Sequence, residues 1–397
     1  VATLVLTWLI GRHLLGAAAA QLATVILLAS PLFLKLGPLV RLDMMYTGWL
    51  LLALWAWLTR PQHDDLPIWR AVVFWLALTL AFFTKGPVGW LIVACAVGTE
   101  LRRVRSRRLL AATRWKFGLP VLLAAVAVWF VMMHSEGGHE FVWATVYEET
   151  VHRFAEGDHG KPFHYYFPRL FTAIFPPWAL VLIPAGRALW TRRRRLPDEV
   201  VPLLGWVLIP FLFFCLANGK RQSYLLPLLP AMAMLVAWHL APVLARGERC
   251  RRIGHISAVV FGAATIAAAG AAMVALMRPD LLDAQRFDMT PARYAVAALV
   301  ACGMGALAWL AARSNGRGPR LVATWAAAML LIQVGNDFVK QPAQNRRVSS
   351  RAFSRELDAL LQCYGQRRIG GVGDGQKPEF HVYGSYAVVP IEDEPEN

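Results

Sequence analysis

Apolar residues along this chain come in long blocks, and polar residues gather in the gaps between them. Twelve blocks can be delimited: residues 1–11, 16–34, 43–58, 67–83, 86–100, 117–133, 169–190, 200–217, 222–242, 255–277, 292–312 and 320–338. Most approach the ~20 residues a helix needs to cross the hydrocarbon layer, so serial bilayer spans are predicted. The fourth and fifth blocks are short. Read as one kinked helix, they would leave Lys85 near mid-bilayer at a cost of roughly 2.5–3.5 kcal/mol. A turn at Lys85-Gly86-Pro87 avoids that cost, because Gly and Pro favour turns. Two spans are therefore predicted there.

Composition supports the same class. The hydrophobic fraction is 57%, and 17% of residues are charged. A soluble domain cannot bury that much apolar surface. The net charge of +16 would suit a nucleic-acid partner, but the arginines sit in loops between apolar blocks. Membrane topology accounts for them, and no nucleic-acid partner is expected. One side of the alternating loops holds Arg12, Arg60 and Arg70, the run Arg102 to Lys116, Arg187 with Arg192 to Arg195, Arg246 to Arg252, and Arg313 to Arg320. The positive-inside rule makes that side cytoplasmic, with membrane lipids as its expected contacts. The opposite side receives residues 134–168 and the tail from Lys340. The five cysteines have neither a disulfide framework nor metal-ligand spacing.

Residues 134–168 are too polar to span. Trp143, Tyr147, Val151 and Phe154 fall on one helical face, which predicts an amphipathic helix in the interface. The tail reads differently: a short helix over 351–362, then strands over Arg368 to Val372, Glu379 to Tyr383 and Tyr386 to Pro390. Gly371-Val372-Gly373-Asp374-Gly375 lacks the context of a dinucleotide fingerprint and is read as a loop. The predicted fold is an all-α polytopic membrane domain over 1–338 and a partial α/β segment over 339–397. Val1 opens directly inside an apolar run, without Met or a basic leader, so an earlier part of the protein is expected to precede it.

Candidate chemistry lies at span ends on the non-cytoplasmic side, where topology does not call for positive charge. Arg41 and Asp43 open the third span, Lys85 follows the fourth, and Lys220, Arg221 and Tyr224 precede the ninth. Taken singly, each cation has a plain alternative in snorkelling to headgroups, and Asp43 in capping its helix. Three basic loops on one side instead suggest a pocket for an anionic headgroup. Lysine offers phosphate a point charge and arginine a bidentate fork. A carboxylate beside that pocket can orient a sugar hydroxyl or act as a base. For Tyr165 and Tyr166 an aromatic belt competes with ligand stacking. His152 and His164 lack metal-ligand spacing, and no metal site is assigned.

The order of these motifs resembles the GT-C polytopic glycosyltransferases, most closely the branch with the lipid A aminoarabinose transferases and the protein O-mannosyltransferase-like (PMT_2-type) enzymes. The matching stretches are Arg41-Leu42-Asp43-Met44 and Leu80-Ala81-Phe82-Phe83-Thr84-Lys85-Gly86-Pro87. Next come Glu148-Glu149-Thr150-Val151-His152-Arg153-Phe154, and Pro162-Phe163-His164-Tyr165-Tyr166 with Pro176-Pro177-Trp178. The last is Lys220 to Pro230. The resemblance implies transfer of a sugar from a polyprenyl (undecaprenyl) phosphate carrier to lipid A or another glycan or protein acceptor. The reaction would take place on the periplasmic face of the bacterial inner membrane. It implies that Lys85 holds the carrier phosphate, with Arg41 or Lys220 beside it, and that Asp43, the candidate catalytic carboxylate within this chain, matches an aspartate important for activity. Tyr165, Tyr166 and Tyr224 would line the lipid or sugar cavity, and His152 and Arg153 would join the substrate-binding set. The lipid-linked donor is the cofactor-like partner, and a divalent metal is compatible with the family. The family's first span and first periplasmic loop, which carries an acidic catalytic residue, would precede Val1. Two other readings compete: a protein O-mannosyltransferase-like enzyme, and a secondary transporter or lipid flippase. Charges clustered at span ends on one face favour a transferase over the mid-membrane charges of a transporter.

Overall fold

The computed structural model describes residues 1–37, 41–60, 66–104, 111–147, 161–175, 178–193, 195–277, 291–340, 368–371 and 387–390. The described part is built almost wholly of helices. In chain order they are α1 (Ala2–Leu15), α2 (Ala17–Leu28), α3 (Pro31–Leu36), α4 (Leu42–Leu58), α5 (Ile68–Lys85), α6 (Val88–Val104) and α7 (Trp115–Val146). After an irregular helical stretch come α8 (Trp178–Thr191), α9 (Val201–Leu216), α10 (Leu229–Leu244), α11 (Gly247–Met277), α12 (Pro291–Ala312) and α13 (Gly318–Gly335). Every predicted apolar block contains a helix.

Among the described residues, five stretches are long and apolar enough to cross a membrane by length and composition: Ile68–Lys85, Trp115–Val146, Gln222–Leu244, Ala292–Ala312 and Gly318–Phe338. Other blocks are shortened by breaks with local causes. The second block divides at Ser30, whose hydroxyl donates to Ile26 O (2.7 Å), and restarts with Pro31 as the first helical residue of α3. The ninth block starts as a 3-10 run, Gln222–Leu228, before it relaxes into α10. Near Phe163 the chain makes a 3-10 turn, one α turn and a π-helical stretch, Leu170–Ile174. The predicted turn after Lys85 is present. Gly86 adopts φ 80°, ψ −170°, a conformation essentially reserved for glycine, and it separates α5 from α6.

The chain forms two compact units, residues 1–263 with 304–333, and residues 264–303 with 334–397. In the first, α10 is the most deeply embedded helix, with Leu229 through Ala237 all buried. Neighbouring helices approach closely at glycines, as membrane helices do when lipid offers no hydrophobic drive for association. A Cβ on Gly205 of α9 would lie 2.2 Å from Thr99 Oγ1 of α6, and one on Gly118 of α7 would lie 2.1 Å from the Trp75 ring of α5. Outward faces carry exposed apolar side chains such as Val121, Val128, Val131 and Leu208, as a lipid-facing surface requires. In the second unit, β1 (Arg368–Gly371) and β2 (Ala387–Pro390) pair in parallel, with Arg368 opposite Ala387 and Gly371 opposite Pro390.

Of the predicted interfacial helix, residues up to Val146 continue α7 beyond a break at Gly138 (φ 69°). Trp143 and Tyr147 stack there, with ring centroids 5.4 Å apart. Val151 and Phe154 lie outside the described residues, as do the predicted helix over 351–362 and the strand over Glu379 to Tyr383.

Candidate active site

The first turn of α4 builds the centre of the site. Arg41 is its N-cap, in an extended conformation, and Asp43 lies in the first turn, where the helix dipole favours negative charge. Lys85 ends α5, where the dipole favours positive charge. Antiparallel packing of the two helices brings these ends together. Lys85 Nζ donates to Asp43 Oδ1, and Arg41 Nε lies 3.2 Å from Asp43 Oδ2. The side chain of Ser223 lies beside the same carboxylate. Asp43 has 6% of its side chain exposed, against 32% for Lys85 and 46% for Arg41. One buried carboxylate therefore holds two partly open cations. Two positive charges against one negative leave the cluster with a net positive charge facing outward, and an anion is what that charge can take up.

Tyr224 completes the cluster, with Lys85 Nζ 5.3 Å from the centre of its ring. It stands in the 3-10 run that also supplies Ser223. That run is fixed from behind by buried Trp206 of α9, which donates to Pro227 O (2.9 Å).

Lys220 sits differently from Arg41 and Lys85. It is 2% exposed, and its ammonium donates to the backbone carbonyls of Ala217 and Lys161, the latter at 2.8 Å. Lys161 returns the bond, donating from Nζ to Lys220 O at 2.8 Å. The two lysines thus clasp the loop before Ser223 to the turn before Tyr165. Burial pushes the Lys220 ammonium below the ordinary lysine range, and the charge of Lys161 adds to the effect. Tyr165 carries Arg169 over its ring at 3.7 Å and Lys161 at 4.9 Å. Tyr166 is fully buried and donates to Arg221 O (3.1 Å), and burial holds its phenol well above the usual range. Tyr165, Tyr166 and Lys220 therefore form a second cluster, tied to the first by the 217–224 segment. His152 and Arg153 lie outside the described residues.

Sequence reasoning had no role for Ser223, Lys161 or Arg169. Ser223 stands inside a quoted motif, but a serine signals nothing until its neighbour is known. Among the described residues no three His, Cys, Asp or Glu side chains are placed to hold a metal ion.

The comparisons with known proteins agree with this architecture. A family profile described as dolichyl-phosphate-mannose-protein mannosyltransferase (PMT_2) matches residues 1–134, which include Arg41, Asp43 and Lys85. The undecaprenyl phosphate-alpha-4-amino-4-deoxy-L-arabinose arabinosyl transferase of Pectobacterium atrosepticum is 35% identical over 256 residues, 61% of this chain and 44% of that protein. Its namesake in Pseudomonas aeruginosa is 30% identical over 316 residues, 76% of this chain and 55% of that protein. The chain thus spans about half the length of the curated relatives it matches. The crystal structure of ArnT from Cupriavidus metallidurans bound to undecaprenyl phosphate superposes with a TM-score of 0.70 at 19% identity, covering 98% of this chain and 69% of that one. The apo form of the same protein gives 0.68 at 18% identity, covering 99% of this chain and 70% of that one. Helix order and helix packing give this chain the fold of those ArnT structures, and its sequence is similar to the PMT_2 profile over residues 1–134 and to the aminoarabinose transferases over 61–76% of its length.

Proposed function

We propose that this chain is the membrane-embedded part of a transferase that moves an aminopentose from undecaprenyl phosphate to lipid A at the periplasmic face of the inner membrane. The observation that carries the reading is the outward-facing pair of cations, Lys85 and Arg41, held on one buried carboxylate at the ends of two helices. The relatives named for undecaprenyl phosphate-linked aminoarabinose supply the donor class.

In the reaction, an acceptor oxygen attacks the anomeric carbon. The bond from that carbon to the carrier's phosphate oxygen breaks, and its electron pair stays on the phosphate. Negative charge grows on the leaving group, where Lys85 and Arg41 are placed to stabilise it. The sequence reading gave Asp43 the part of catalytic carboxylate. Its geometry supports a role as counter-ion, because both oxygens are engaged and the side chain is nearly covered. Asp43 then keeps two like charges close together before the phosphate arrives. A phosphate acceptor is already anionic and needs no base, whereas a hydroxyl acceptor does. Tyr224 lies beside Lys85, where it lines the donor's approach.

The test uses the full-length protein, an undecaprenyl-phosphate aminopentose and lipid A. Lys85→Ala is expected to lower kcat by about 100-fold, the usual loss on removing one stabilising donor. Turnover within about threefold of wild type would remove Lys85 from the site. The PMT_2 profile match favours a second acceptor class, protein hydroxyls. Mass spectrometry of lipid A and of envelope proteins from a deletion strain separates the two.

A further inference from the structure

One buried polar group near the site is left over from this account. Tyr46 lies one turn along α4 from Asp43, is 5% exposed, and its hydroxyl has no hydrogen-bond partner. A buried hydroxyl in that state carries a desolvation cost, so its position calls for a reason. Its neighbour is Gly89, in the first turn of α6. The Gly89 amide lies against the hydroxyl without completing a proper hydrogen bond. A Cβ on Gly89 would meet Tyr46 Oη at 2.5 Å, Tyr46 Cζ at 2.8 Å and Leu50 Cδ2 at 2.7 Å. No side chain fits there.

The Lys85 turn is therefore gripped on both sides by one face of α4. Before Gly86, Lys85 is bound to Asp43; after it, Gly89 is seated on Tyr46. Trp90 closes the third side, stacking on Phe82 at 5.3 Å and donating to Leu78 O at 3.0 Å. A bland account makes Tyr46 a core aromatic whose hydroxyl is incidental. The missing Cβ at the contact argues against it, because the Tyr46 and Leu50 side chains can lie this close to the backbone of residue 89 only if that residue is glycine.

We propose that Tyr46 and Gly89 are positioning residues, a tight seat that sets how far α6 approaches α4 and so where Lys85 presents its ammonium. This rests on the proposed function above only in naming what Lys85 receives. The experiment uses Gly89→Ala, Tyr46→Phe and the double variant in the full-length protein. Undecaprenyl phosphate affinity is read by titration. In parallel, an Asp43→Cys/Lys85→Cys pair, with native cysteines replaced, is joined by a short bifunctional thiol reagent.

Gly89→Ala is expected to weaken lipid binding by about tenfold and to lower cross-linking, because its methyl group displaces the turn. Tyr46→Phe removes the atom that the methyl group strikes first. Alone it should change binding by less than about threefold, and in the double variant it should restore part of the lost affinity and cross-linking, since Tyr46 Cζ and Leu50 Cδ2 still press on the methyl group. Simple loss of stability would lower the thermal unfolding temperature of Gly89→Ala without changing cross-linking in the fraction that stays folded. Wild-type behaviour in Gly89→Ala, or a double variant no better than Gly89→Ala, overturns the proposal. If wild-type protein binds no undecaprenyl phosphate, the functional reading falls, and the cross-linking series still decides the seat.

Discussion

Lysines 85 and 220 look alike in the sequence, each a cation at the outer end of an apolar block. Their surroundings separate them: Lys85 meets a carboxylate and keeps about a third of its side chain exposed, while Lys220 is swallowed by backbone carbonyls. Residue type announces charge, and only the fold says whether that charge is offered to a ligand or used to close a loop. Lys220→Met is therefore expected to act on stability. It leaves two buried carbonyls short of a donor, at about 1–3 kcal/mol, and thermal unfolding in detergent reads the loss. Because the folded-state pKa of Lys220 is lowered, the folded protein releases this proton before the unfolded chain does. Stability should rise as pH climbs through the folded pKa toward the ordinary lysine value of 10.5, and the Met variant should lack that rise. Tyr46 was equally hidden: in the sequence it is one more aromatic in an apolar run.

At the scale of elements, the blocks were legible because the bilayer imposes a length on every apolar run, and each predicted block holds a helix. The turn after Lys85 was legible for an electrostatic reason. The breaks at Ser30-Pro31 and at Gly138 were not, since hydropathy averaged over a window passes over a single residue. Helix α4 carries a second charged contact at its far end. Arg60 grips Glu100 of α6 with two bonds, at 2.7 and 3.3 Å, and the indole N–H of Trp57 donates to the same carboxylate at 2.6 Å. The Arg60 guanidinium lies 5.0 Å from the Trp57 ring. With Arg60 only 5% exposed, Glu100→Ala strands a buried charge. A loss of about 3–5 kcal/mol is expected, partly recovered when Arg60→Met is added, as thermal unfolding of the single and double variants will show.

For the whole molecule, the alternation of helices puts the Lys85 cluster and the arginine-rich loop after α8 at opposite ends of the bundle's chain path. That loop includes Arg192, Arg193 and Arg195, with Arg193 5.0 Å from the ring of Trp190. The proposed function requires the first end to be periplasmic. In a protein stripped of native cysteines, Phe163→Cys should react with a membrane-impermeant thiol reagent applied to intact spheroplasts, and Arg193→Cys only after lysis. The reverse pattern would place Lys85 and Arg41 on the wrong side of the membrane for the proposed periplasmic acceptor. An expectation of sidedness was legible in the arginine counts, and this labelling is what tests it. The acceptor was not, since nothing in the charge pattern distinguishes a lipid phosphate from a protein hydroxyl.

Helix α4 is riveted at both tips, by Asp43 to Lys85 and by Arg60 to Glu100. The 17 residues between Leu42 and Leu58 span about 25 Å. Sliding α4 along its axis would tear ionic contacts at both ends at once, so it serves the bundle as a fixed strut. On the proposed function, whatever rearranges as the donor enters would swing around this strut, and Lys85 would keep a constant depth in the bundle from one turnover to the next.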